Sequence, residues 1–317
     1  MYIQFFPTFR CNETCSFCFN RGISRIRDIS AVDFGKVADV LAGEGIEEID
    51  FLGGEPTCHP ELTALVETAC NNGLRASISS NGSNVRALTG LSHNFEGEKL
   101  TIGISLNGTP VDDELVSYIL EYRPLIKSVC NRTRFMPETV QRLIGHPGIR
   151  YYAIFMDALQ PSDLDSCLPF PQYYRRLNKL RKVHRNVEGV YCSCYLPDTA
   201  HEDIRCPAGT TKLSVMPDGS VYPCYLLFQR PEFRLGNILS DDIDRICRHP
   251  ALSFFRNFER NHCPETVCEL HGKCRGGCPA VSLMVCDDLV APDPRCLYGT
   301  RNLTSCRKTL TRNSGLV

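Results

Sequence analysis

The chain has almost no net charge. Its 35 lysines and arginines stand against 36 aspartates and glutamates, a formal balance of −1. That removes any global electrostatic case for nucleic acid or an anionic membrane surface as partner. Nor does it have an apolar run approaching the ~20 residues that a membrane-spanning helix requires. The N-terminus lacks a basic stretch followed by an apolar one, so no secretory signal is expected. The expected location is the cytoplasm. At 317 residues the chain can form one large domain or two ordinary ones, with a substantial core.

Cysteine, by contrast, is abundant. Nineteen cysteines would be a disulfide framework in a small secreted domain, but in a cytoplasmic enzyme they point to metal or catalysis. They are unevenly placed. Cys11, Cys15 and Cys18 stand at the front, ten lie from Cys206 to Cys306, and Cys192 and Cys194 come just before those. The front three follow a short aromatic and β-branched run, residues 2–6, which reads as a strand stopped by Pro7. Three thiolates on one tight loop suit three irons of a cubic 4Fe–4S cluster. No fourth cysteine lies at ordinary spacing, so one iron is left for an outside ligand. A structural zinc loop uses the same soft ligands, but zinc normally takes closed sets of four.

The Cys-x3-Cys-x2-Cys stretch, with Phe17 just before the third cysteine, resembles the radical S-adenosylmethionine (SAM) enzymes. The resemblance implies that the open iron is chelated by the amino and carboxylate groups of SAM. It implies reductive cleavage of SAM to a 5′-deoxyadenosyl radical, which abstracts a substrate hydrogen.

From the N-terminus to residue 157, short apolar runs alternate with helical patterns, which argues for βα units on a parallel sheet. Strands are expected at 46–52, 74–79, 100–106, 126–135 and 149–157. Helices are expected at 31–42, with Ser30 as N-cap and Val32, Val37, Val40 and Leu41 as its apolar stripe, at 60–70 and at 111–122. Six βα units make a partial (β/α)6 TIM-like barrel, short of the eight of a closed one, which is also the architecture that the resemblance implies.

Polar clusters fall at the carboxyl ends of these strands, where parallel βα folds gather function. Gly53-Gly54-Glu55-Pro56 resembles the family's motif for the SAM amino group; an ordinary Gly-Gly turn is the plainer reading. Ser80 and Asn81 resemble contacts to the ribose or the methionine carboxylate. Ser105 and Asn107 stand where relatives carry Ser-Leu-Asp-Gly, with Asn107 replacing the aspartate. Arg134 could pair with the SAM carboxylate. Cys58, just past the Glu-Pro turn, is a candidate hydrogen-atom donor to a substrate radical.

Residues 158–190 read as a connector, with a basic helix at 172–185 that either docks an acidic partner or is a solvated face. From 191 to 317 the composition changes. Pro217-Asp218-Gly219 between two apolar runs predicts a β-hairpin. The cysteine order resembles the SPASM extension, which carries two auxiliary 4Fe–4S clusters. By that resemblance Cys206, Cys224 and Cys278 share one cluster, completed by Cys192 or Cys194, with Cys194 preferred. Cys263, Cys268, Cys274 and Cys296 hold the second. Four residues separate Cys263 from Cys268 where relatives usually have two, so Cys286 is an alternative ligand. A pair of zinc sites is the alternative for the whole region.

The function expected is therefore a radical SAM oxidoreductase with three 4Fe–4S clusters. It would modify a peptide, in ribosomal peptide maturation, by crosslinking, epimerisation or oxidation. A flavodoxin or ferredoxin would donate electrons. Because the cysteine loop begins at residue 11, a separate leader-peptide-binding protein is a further expected partner. The alternatives are dehydrogenation or rearrangement of an aminosugar or other small metabolite, and a non-catalytic zinc or electron-transfer protein.

Overall fold

The structure, a computed structural model, describes the chain except residues 22, 24–25, 96, 98, 108–110, 191–205, 258–262, 264, 268–270, 272–275 and 297–317. Strands and helices alternate six times: β1 (Tyr2–Phe5), α1 (Ala31–Gly43), β2 (Glu48–Phe51), α2 (Leu62–Asn71), β3 (Arg75–Ser80), α3 (Val85–Asn94), β4 (Leu100–Ser105), α4 (Asp113–Tyr122), β5 (Leu125–Cys130), α5 (Glu138–Leu143), β6 (Arg150–Phe155) and α6 (Phe170–Val183). β7 (Val187–Val190), β8 (Lys212–Val215), β9 (Ser220–Tyr222) and β10 (Gly236–Asn237) follow. The six-fold alternation expected from the sequence is present. Among the described residues no helix is long and apolar enough to cross a membrane.

The chain divides into two compact units. The first comprises Met1–Ser128, Pro137–Tyr151 and Ala208–Ser253; the second comprises Val129–Met136, Tyr152–Pro207 and Phe254–Val317.

In the first unit β1 to β5 pair in parallel and in sequence order. The hairpin of β8 and β9 forms as expected, turning at Gly219, whose φ of 80° is a backbone conformation that glycine adopts at little cost. Its first strand then joins β1 in parallel, Tyr2 opposite Lys212 and Phe5 opposite Val215. β1 is therefore an interior strand with β2 on one side and β8 on the other.

One face of this sheet is apolar and covered by helices. Phe5, Phe34 and Phe51 meet there with ring centroids 5.0–5.8 Å apart. α1 begins where expected, with the Ser30 hydroxyl accepting from Asp33 N. Its buried stripe is Phe34, Val37, Ala38 and Leu41, whereas Val32 is 74% exposed. Helical spacing admits either phase, and burial of the larger Phe34 stabilises the observed one by roughly 1.5–3 kcal/mol. α2 buries Leu62, Leu65, Val66, Ala69 and Cys70, the expected stripe with a small thiol added.

The opposite face of the sheet is polar. Gln4 lies opposite Asp50, and Asp50 opposite Ser77. The Lys127 ammonium reaches from β5 across β4 to the Ser79 hydroxyl on β3. It can do so because the intervening β4 residue is Gly103, where a Cβ would lie 2.6 Å from Lys127 Nζ. Burial lowers the Lys127 pKa, opposed by Asp50; burial raises that of Asp50, opposed by Lys127. Gly103→Ala should therefore cost about 1–3 kcal/mol by overpacking, and little in a Lys127→Ala background. A double-mutant cycle by urea unfolding measures this, and additive effects would show that Lys127 does not lie over Gly103.

The second unit holds the last residues of β5 and β6 together with α6 and β7. The strand expected at 126–135 stops at Cys130, because the Asn131 side chain accepts from Arg134 N at 2.7 Å and turns the chain. α6 buries Phe170, Tyr173 and Leu177, and leaves Arg175, Arg176, Lys179 and Lys182 exposed, the pattern of a solvated basic face.

Candidate active site

The cysteine loop rests on an aromatic floor. Phe6, Phe9, Met216 and Tyr222 form a buried cluster, against which Phe19, Ile26, Tyr225 and Phe228 pack. Phe19 meets Tyr225 with centroids 5.0 Å apart. Phe17, the aromatic residue of the cysteine motif, is half-buried, and Phe19, one residue past Cys18, packs the loop onto this floor.

The chain leading into the loop is fastened to the Gly-Gly-Glu segment by backbone alone. Gly54 N donates to Thr8 O at 2.9 Å, and Glu55 N to Arg10 O at 2.8 Å. A Cβ on Gly53 would overlap Thr8 O, and one on Gly54 would overlap Arg10 O and lie 2.6 Å from Phe9 O. What the glycines visibly do is let two backbones touch. Asp28 completes the fastening, accepting from Thr8 Oγ1 at 2.6 Å and pairing with Arg10.

Glu55 is 1% exposed and gathers the strand ends. Its Oε1 accepts from Thr57 N (3.1 Å), Thr57 Oγ1 (2.8 Å) and Ser80 Oγ (2.8 Å), and its Oε2 from Asn81 N (2.6 Å). Each carboxylate oxygen offers two lone pairs, and among the described residues Oε2 accepts from Asn81 N alone, so it has room for one more donor. Asn81 Nδ2 donates to Asn12 Oδ1 at 2.8 Å, tying the end of β3 to the cysteine loop. Cys11, Cys58, Glu55, Ser80 and Asn81 are thus brought together. Asn12 and Asp28 were missed by sequence reasoning, for lone polar residues in a loop give no periodic signal.

Each thiol of the loop has a raised pKa. Burial and then Glu55 act against the ionised form of Cys11, where a backbone bond from Glu13 opposes them. Cys15 is pushed up to about 12 by burial and by Glu13, and Cys18 is raised by burial. Cys58 is raised by burial and Glu55, against Arg10 and a backbone bond from Asn12.

The donor set suits a cluster. Cys11, Cys15 and Cys18 lie within one another's electrostatic reach. Glu13 N donates to Cys11 Sγ at 3.5 Å and Asn20 N to Cys18 Sγ at 3.4 Å, contacts of the kind that tune cluster sulfurs. Among the described residues no three His, Cys, Asp or Glu side chains converge on the position of a single metal ion. The buried Asn20 Oδ1 has no hydrogen-bond partner among them.

The remaining candidates are distributed as follows. Ser105 ends β4 beside Lys127, with Asn107 just beyond, partly buried. Arg134 belongs to the second unit. Cys224 lies in the first unit, and Cys206, Cys263, Cys278 and Cys296 in the second. Cys194, Cys268 and Cys274, with Cys192, lie outside the described residues.

The sequence profile of the Radical SAM superfamily matches residues 5–205. The chain belongs to the radical SAM superfamily. A second profile, SPASM, described as an iron–sulfur cluster-binding domain, matches residues 206–279. SAM and iron–sulfur clusters are therefore its cofactors, and this radical SAM chain is an enzyme. It is 22% identical over 312 residues to the antilisterial bacteriocin subtilosin biosynthesis protein AlbA of Bacillus subtilis (strain 168), covering 88% of this chain and 67% of that one. With the PqqA peptide cyclase of Ruegeria pomeroyi it is 22% identical over 326 residues, covering 91% and 85%. In fold it resembles Streptococcus suis SuiB bound to precursor peptide SuiA, with a TM-score of 0.72 at 18% identity over 93% of this chain and 75% of that one. It also resembles anSMEcpe with bound AdoMet, with a TM-score of 0.69 at 16% identity over 99% and 97%.

Proposed function

We propose that this radical SAM enzyme matures a ribosomally made peptide in the cytoplasm, and that it carries three 4Fe–4S clusters. The observation that carries the peptide reading is similarity along 88–91% of the chain to AlbA and the PqqA peptide cyclase, spanning both the radical and the auxiliary-cluster regions. A flavodoxin or ferredoxin supplies electrons, and a separate protein presents the substrate's leader.

In this reading Cys11, Cys15 and Cys18 would hold the first cluster, and the chemistry that it would supply when bound is one-electron reductive cleavage of SAM. The aromatic floor keeps water from beneath the loop. Glu55 Oε2 would accept a hydrogen bond from the SAM amino group, with Gly53, Gly54 and Pro56 holding that carboxylate in place. Ser80, Asn81, Ser105 and Asn107 orient the rest of SAM, and Arg134 pairs with its carboxylate. Cys58 would give a hydrogen atom to the substrate radical if the product is an epimer, and the thiyl radical left behind would be returned to the thiol by one electron from the flavodoxin or ferredoxin and one proton. Cys206, Cys224, Cys278 and Cys194 hold one auxiliary cluster, and Cys263, Cys268, Cys274 and Cys296 the other.

Anaerobic reconstitution tests the reading. Wild-type protein should bind roughly twelve irons per chain and release 5′-deoxyadenosine from SAM after reduction. Replacing Cys11, Cys15 and Cys18 with alanine should remove about four of those irons and all 5′-deoxyadenosine. Zinc in place of iron, with no cleavage in the wild type, would refute it.

A further inference from the structure

Within the second unit a buried guanidinium joins the end of β6 to the cysteine-rich segment. Arg295, its side chain 1% exposed, pairs with the fully buried Asp293 through two parallel contacts, Nε to Oδ1 at 3.1 Å and Nη2 to Oδ2 at 2.8 Å. Its Nη1 donates to Met156 O at 2.9 Å and Asp157 Oδ1 at 2.7 Å. The guanidinium lies 4.7 Å from the centre of the Phe155 ring. Asp293 in turn meets two cysteines. Its Oδ2 accepts from Cys278 N at 3.0 Å, and its backbone carbonyl accepts from Cys296 N at 3.0 Å.

Such an arrangement is hard to explain as stabilisation. Taking an Arg–Asp pair out of water costs several kcal/mol per ion, and apolar side chains of the same volume commonly do as well or better. What apolar side chains cannot supply is a fixed charge beside a sulfur. Cys278 is buried, and its backbone N–H donates to the same Asp293 Oδ2 that Arg295 Nη2 contacts, so the charged pair lies against the backbone of this cysteine.

We propose that Arg295, balanced by Asp293 and Asp157, sets the reduction potential of the auxiliary cluster ligated by Cys278. This rests on the reading of Cys278 as a cluster ligand. A reduced cluster carries one more negative charge than an oxidised one, so a nearby cation favours reduction and a nearby carboxylate opposes it. Arg295 is a positioning and tuning residue. The Asp157 side chain is 30% exposed, so it is the member of the set that can be changed with least harm to folding.

EPR-monitored redox titration of reconstituted protein tests this. Cys278→Ala first identifies the cluster, by removing one auxiliary signal and lowering the iron content. Arg295→Gln should then shift the midpoint of that signal to lower potential, and Asp157→Asn should shift it to higher potential. Arg295→Lys, which keeps the charge, should stay near wild type. Iron content should be unchanged in the Asp157→Asn protein. A purely structural role would not move the midpoint in opposite directions. Should Arg295→Gln fail to fold, the Asp157→Asn shift decides alone. No shift there, or a shift downward, overturns the proposal while leaving the cluster reading intact. An unaltered auxiliary signal in Cys278→Ala overturns both.

Discussion

Gly54→Ala should strip the cysteine loop of iron and destabilise the first unit by more than about 3 kcal/mol. The new methyl overlaps Arg10 O and comes within 2.6 Å of Phe9 O. Both are backbone atoms, so no rotamer change relieves the clash. Moving them apart breaks the bonds from Glu55 N to Arg10 O and from Gly54 N to Thr8 O, and with them the fastening of the loop. Iron per chain and the urea midpoint check this. Gly35→Ala is the control, since Gly35 lies within α1 with nothing within 4 Å of its added Cβ. That change should stabilise the protein by roughly 0.5–1 kcal/mol. Full iron loading in Gly54→Ala would show that the two backbones need not touch.

Glu55→Gln should lower both stability and SAM affinity. Four donors converge on this carboxylate, and an amide brings an NH2 group against at least one of them. Hydrogen bonds to a charged group contribute about 1.5–3 kcal/mol each, so a loss of that order is expected on unfolding. Oε2 holds the one remaining lone pair that a SAM amino group would use. Losing a charge-assisted bond there should weaken SAM binding about tenfold or more. Calorimetric titration of SAM, alongside thermal unfolding, separates the two effects. A drop in melting temperature with unchanged affinity would confine Glu55 to gathering strand ends.

The parts of the fold carried by local pattern were legible in the sequence. α2 showed its buried stripe save Cys70, Ser30 its capping role, and the Pro217-Asp218-Gly219 turn its hairpin. The cysteine loop and Gly53-Gly54-Glu55-Pro56 were visible because residue type and spacing are themselves the signal. α3 and α5 were not visible, for each buries only two side chains, Leu88 with Leu91 and Val140 with Leu143, too few to mark a period. The phase of α1 was misread because Val32 and Phe34 fit helical spacing alike, and packing against Phe5 and Phe51 decides between them. Long-range partners left no trace. Asp50 and Lys127 lie on separate strands, 77 positions apart, and neither strand's own pattern points to the other. Arg295 meets Asp157 across 138 positions of sequence. Gly53 and Gly54 were legible as part of a motif, but that they also face the loop's own backbone depends on chain more than 40 residues away and left no local mark.

The placement of β1 bears on how the protein comes to be made. One neighbour of β1, β2, follows soon after it, but the other, β8, contains Ser214, whose partner Gln4 lies 210 residues earlier. Met216, Tyr222, Tyr225 and Phe228 of the aromatic floor arrive later still. Throughout translation the strand that bears the cysteine loop is thus an open edge, with unpaired backbone groups ready to template aggregation. Closing it requires a contact of very high sequence separation, of the kind that forms slowly. A nascent chain has its three front cysteines from the start, but no finished seat for them until the ribosome has passed residue 228.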